Sequence, residues 1–186
     1  MLNYAIYKNA RNASWQCFID CSINELPIKP IRIAIHYGII CKQSDKESLF
    51  GADGEIVRNN SEIFIRTDAD QPIQRRRYTI MHEIGHYLLG HLGDMPLSRS
   101  ERDCKPEEEQ AADRFAADIL MPACVLWGLN IHTPEEIARL CNVSMSAATI
   151  RAERMEVLYQ RNKFLLHPLE RQVYVQFSEF IQKHKH

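Results

Sequence analysis

From Arg77 to His91 the chain reads RYTIMHEIGHYLLGH, and the fold turns on how this stretch is taken. Ile80, Ile84 and Leu88 recur every four residues, which is the apolar stripe of a helix. His82 and His86 are also four apart, so on a turn of 3.6 residues they share a face beside that stripe. The packing of the helix therefore does not need them. Two imidazoles on one face can grip a single metal ion from the same side, and Glu83 can reach a water bound to it. This is the zinc-hydrolase pattern of two His ligands and a Glu general base. A five-residue pattern can arise by chance in a chain with eight histidines, so the surroundings must decide.

A catalytic zinc needs a third protein ligand and an open position for water. His91 is near in sequence, just past Gly90. The His-x-x-Gly-x-x-His extension of the metzincins, however, would place glycine and histidine where Leu89 and Leu92 stand. The better source is the next helical stretch, Glu107 to Ala117, which reads EEEQAADRFAA. Glu109 and Asp113 are four apart and share a face, and the small residues Ala112 and Ala116 let two helices approach closely. One acid can bind the metal while the other accepts a hydrogen bond from a ligand imidazole. That is gluzincin logic, with Glu109 as third ligand and Asp113 supporting it one turn on. An acidic helix start accounts for Glu107 and Glu108, but not for the acid–alanine face that follows.

Together these residues make the chain resemble the ImmA/IrrE metallo-endopeptidases. The resemblance is carried by Arg77 to His91 and by Glu109 to Pro122. In the second stretch Glu109, Ala112, Asp113, Phe115, Ala116 and Leu120-Met121-Pro122 match the family's Glu-x-x-Ala-(Asn/Asp)-x-Phe-Ala and Leu-Met-Pro pattern. Two motifs in order are far more specific than either alone. Trp15 with Leu26-Pro27, and Thr133 to Leu158, also look like the family's N-terminal and later helices. The resemblance implies a zinc protease that cleaves a helix-turn-helix transcriptional repressor, releasing a mobile element or a stress response. Nothing in these residues names the repressor.

Around the two motifs the chain reads as α+β and predominantly helical. Apolar positions Tyr7, Ala10, Trp15, Phe18 and Ile19 predict a helix from Tyr4 to Ile23, broken by Leu26 to Pro30. A short helix over Ile31–His36 should end at Gly38, followed by a strand from Ile39. Glu55–Val57 and Glu62–Arg66 read as strands joined by a turn at Asn59-Asn60, giving a small antiparallel sheet of about three strands. Asp68 and Asp70 read as solvated acids in a loop. Pro72 starts the His82 helix, and Gly90 and Gly93 end it. Gly93 to Pro106 reads as a surface loop. Thr133-Pro134-Glu135-Glu136 is a capping-box start, Asn142-Val143 a turn, and Ser144 the cap of a helix to about Asn162. Another helix follows Pro168. The whole, 1–186, is expected to be one zinc metallopeptidase domain, with the helix-turn-helix-like segment at about 133–162 packed as part of it.

Composition sets the outer bounds. The 186 residues are 45% hydrophobic and 25% charged, the balance of a soluble globular chain rather than a disordered or fibrous one. No apolar run reaches the length of a membrane span, and the N-terminal stretch lacks a signal-peptide core, so a cytoplasmic protein with no membrane association is expected. The six cysteines then read as reduced, and Cys17 with Cys21 as core residues, since no second cysteine pair completes a tetrahedral site. The net charge of −1 carries no basic excess for nucleic acid. Arg151 and Arg154 could face phosphates from a helix-turn-helix, but Glu153 and Glu156 interleave with them, so nucleic-acid binding is not the favoured reading.

The resulting expectation is zinc held by His82, His86 and Glu109, with water in the fourth position, Glu83 as general base and Asp113 as support. The strand at Ile63–Arg66 could seat an extended substrate. Tyr87, His132, Tyr159 and His167 are the candidates to stabilise the oxyanion. The rival reading is a catalytically silent, zinc-stabilised regulator acting by partner or DNA binding, although a pure scaffold would not require Glu83.

Overall fold

The structure is a computed structural model and describes residues 4–59, 61–92 and 105–185. Of the loop expected over 93–106, residues 93–104 lie outside them, and Pro106 is instead the first residue of a helix. The fold is α+β and predominantly helical, as the sequence predicts. It divides into two compact units, Met1–Ala13 with Lys29–Ala116, and Ser14–Ile28 with Ala117–His186. No helix among the described residues is long and apolar enough to cross a membrane.

The first unit takes the beginning of α1 (Tyr4–Asp20), then α2 (Pro30–His36), β1 (Ile39–Ser44), β2 (Gly54–Asn59), β3 (Glu62–Asp68), α3 (Ile73–Leu88) and most of α4 (Pro106–Leu120). β2 and β3 form the predicted hairpin, with Asn59 opposite Glu62. The sheet, however, is mixed and not wholly antiparallel. Its order is β1-β3-β2, and β1 runs parallel to β3 with Ile39 opposite Ile63. Strand composition explains the order. β3 carries the apolar run Ile63-Phe64-Ile65 in its middle and takes the centre, whereas β1 ends in Lys42-Gln43-Ser44 and suits an edge. Asp68 is not solvated. It closes β3 at 4% exposure and accepts a hydrogen bond from the backbone N–H of Asp70 at 3.0 Å. Buried Glu55 is paired with Arg66 directly across the hairpin.

α3 buries Ile80, Met81 and Ile84, and with them His82, Glu83 and His86. The helices α3 and α4 meet closely because the contact residues are small. A Cβ added at Gly85 would lie 3.2 Å from the Ala112 Cα and 3.0 Å from the Phe115 ring. The close approach expected from Ala112 thus needs a bare position on α3 as well.

In the second unit the end of α1 buries Ser14, Cys17 and Phe18. Phe18 packs edge-on against Phe177 at 5.6 Å, and its carbonyl accepts a hydrogen bond from Gln176 Nε2 at 2.8 Å. α5 (Ala123–Gly128) is a short helix that the sequence reading did not separate from the chain after Pro122. α6 (Pro134–Cys141) has the predicted capping box. Thr133 Oγ1 accepts from Glu136 N, and the Glu136 carboxylate accepts from Thr133 N. Asn142 turns the chain with φ 51°, and Ser144 caps α7 (Met145–Arg161). The predicted last helix is two, α8 (Pro168–Gln176) and α9 (Ser178–His184), which meet at Phe177, a buried residue.

Arg151 does not face phosphates. It is 3% exposed and donates from Nη1 to Asp118 Oδ1, at the end of α4, at 3.0 Å.

Candidate metal centre

The site lies wholly in the first unit, on α3 and α4. The i, i+4 spacing on α3 brings the rings of His82 and His86 together, with Nε2 atoms 3.0 Å apart. From α4, Glu109 reaches the same point. Its Oε2 is 3.2 Å from His82 Nε2 and its Oε1 is 3.4 Å from His86 Nε2. The three residues form a group whose possible ligand atoms all lie within 4.8 Å of one another. Two atoms bonded to one tetrahedral ion at about 2.1 Å stand about 3.4 Å apart, so the three separations fit one small divalent cation. The donor set of two imidazoles and a carboxylate suits zinc. The Glu109 side chain remains 30% exposed, so the cluster is open to solvent on that side, which a water position requires.

Each imidazole uses its other nitrogen as well. His82 Nδ1 is 2.8 Å from Asp113 Oδ1, and the same oxygen accepts from the Tyr78 hydroxyl at 2.9 Å. Asp113, one turn after Glu109 on α4, is thus brought against the His82 ring. Tyr78 was not anticipated, although its position four residues before His82 puts it on the histidine face. His91 does not join the ligand cluster, and instead its Nδ1 is 3.1 Å from His86 Nδ1. Glu83 is 1% exposed, and its charge acts on His82.

The electrostatics follow from these contacts. Burial is the largest influence on His82 and pulls its pKa down, but the Asp113 hydrogen bond and the charges of Glu83, Asp113 and Glu109 together lift it above the ordinary imidazole value. Burial pushes Asp113 up, and its bonds to His82 and Tyr78 outweigh that and hold it below the usual carboxylate range. Burial and the adjacent Asp113 charge push the Tyr78 phenol up. Burial keeps His91 below the ordinary imidazole value and so favours its neutral ring.

Two other expectations meet different neighbours. β3 is paired on both sides, so Ile63–Arg66 cannot seat an added strand, and among the described residues the edges of the sheet are β1 and β2. Three of the oxyanion candidates have structural contacts in the second unit. The Tyr159 hydroxyl donates to Ile131 O at 3.0 Å, His132 stacks on the Tyr159 ring, and His167 caps α8 by accepting from Leu169 N. The fourth, Tyr87, meets the Tyr37 ring edge-on at 6.3 Å.

Two imidazoles one turn apart on a helix, joined by a carboxylate from the following helix, are the ligand geometry of helix-borne metallopeptidase sites. The chain belongs to the Peptidase_M78 family, whose model, described as the IrrE N-terminal-like domain, matches residues 42–153. The match spans both motifs and ends within α7. Trp15 and Leu26-Pro27 lie outside it. No curated protein matches the chain.

Proposed function

We propose that the protein is an intracellular, zinc-dependent endopeptidase that hydrolyses a peptide bond in a protein substrate, a helix-turn-helix transcriptional repressor of a mobile element or stress response. The observation that carries this reading is the convergence of His82, His86 and Glu109 on one point beside buried Glu83. The family is one of metallopeptidases, which supports the reaction class. The repressor follows from the likeness to ImmA/IrrE proteins, and the cytoplasmic setting from the sequence.

His82, His86 and Glu109 would hold the ion. When bound, a divalent cation supplies Lewis acidity, lowering the pKa of a water toward about 7 and polarising the scissile carbonyl. The remaining work falls to the chain. Asp113 accepts the Nδ1–H of His82, which fixes the tautomer that leaves Nε2 available as a ligand. The Glu83 carboxylate takes a proton from the attacking water as the new C–O bond forms. It returns that proton to the amine nitrogen as the C–N bond breaks, so the proton balance closes on one side chain.

The test is Glu83→Gln, which keeps the side chain's size and removes the base. Zinc content should stay at one equivalent, and cleavage of a co-expressed repressor should fall by at least about 100-fold. Cleavage unchanged by this substitution would overturn the protease reading.

A further inference from the structure

α3 ends in a turn that returns the chain over its own last histidine. The backbone N–H of Gly90 donates to Tyr87 O at 3.2 Å, and that of His91 donates to His86 O at 2.9 Å. With Gly90 at φ +77°, this is a Schellman motif. In such a motif the residue after the glycine packs back on the residue five before it, usually through an apolar contact. Here the two residues are His91 and His86, and the contact is polar, Nδ1 to Nδ1 at 3.1 Å with ring centroids 5.2 Å apart. His86 directs Nε2 at His82 and Glu109. If Nε2 is the ligand atom, Nδ1 of His86 must carry the proton, and it needs an acceptor. For His82 that acceptor is Asp113.

We propose that His91 is the corresponding positioning residue for His86. In its Nε2–H tautomer it accepts the His86 Nδ1–H at its own Nδ1, and the turn at Gly90 holds it in place. One carboxylate and one neutral imidazole thus orient the pair of ligands. A neutral acceptor adds no further negative charge beside Glu83, Glu109 and Asp113. The proposal rests on the metal-site reading above, and its test separates the two.

In the full chain, zinc and Co²⁺ affinities are measured by competition with a chelating indicator for the parent, His86→Ala, His91→Leu and His91→Gln. Loss of the acceptor in His91→Leu should weaken binding about 10- to 100-fold and shift the Co²⁺ visible bands, with the far-ultraviolet spectrum unchanged. His91→Gln offers a carbonyl acceptor and should recover most of the affinity. His91→Leu within twofold of the parent, while His86→Ala no longer binds, would overturn the role of His91 and leave the metal site standing. Parent-like binding by His86→Ala would overturn the site itself. Should His91→Leu fail to fold, ¹⁵N spectra of the zinc-loaded parent decide. A bare His91 Nδ1 supports the proposal, and a proton on that nitrogen refutes it.

Discussion

Asp113 Oδ1 accepts from both His82 Nδ1 and the Tyr78 hydroxyl, so one oxygen holds the imidazole of a proposed ligand and is itself held. Asp113→Ala should lower zinc affinity about 10- to 100-fold, and Tyr78→Phe should lower it less, because the phenol acts only through the carboxylate. A competition titration at fixed pH checks the order, and an equal loss in both variants would contradict it. Four-residue intervals on helices translate directly into shared faces, so the sequence alone pairs His82 with His86 and Glu109 with Asp113, and the structure brings these side chains together. Tyr78 has the same interval from His82, but the sequence reading gives it no role, because an aromatic residue on such a helix ordinarily packs. His91 cannot be placed from periodicity at all. Its position depends on the left-handed turn at Gly90, after the helical repeat has stopped.

Local chemistry fixes the helix ends, and pairing between distant stretches fixes the sheet. The Thr133 capping box is fully legible in sequence because all its groups lie within four residues. Thr133→Ala should cost about 1 kcal/mol, read from denaturant midpoints. The Thr133 hydroxyl and backbone N–H hold the Glu136 carboxyl below its ordinary value. A carboxyl lowered in the folded state contributes stability above its unfolded pKa and loses it as pH falls through the folded value. The difference between parent and Thr133→Ala should therefore be largest near neutrality and narrow in acid below the ordinary Glu range. The direction of β1 could not be read in the same way. β1 is parallel to a strand that is not its neighbour in sequence, and nothing in Ile39–Ser44 encodes that partner. α5 escaped because its six residues are too short for a helical period to show. The break between α8 and α9 escaped because Phe177 carries no breaker signal and is fixed by burial against Phe18.

At the scale of the molecule, Arg151 is buried and directs its charge to Asp118. Arg151→Ala leaves Asp118 buried without its guanidinium and should destabilise the protein by about 3 kcal/mol. Thermal denaturation would show this, and titration of the parent with random duplex should show no steep salt dependence. A steep slope in the parent that Arg151→Ala abolishes would reverse this reading. All three proposed ligands, the proposed base and both groups proposed to orient the imidazoles come from the stretch Lys29–Ala116, whereas Thr133 and Arg151 belong to the other unit. The proposed ligands and the Thr133 and Arg151 contacts therefore fall in different stretches of the sequence.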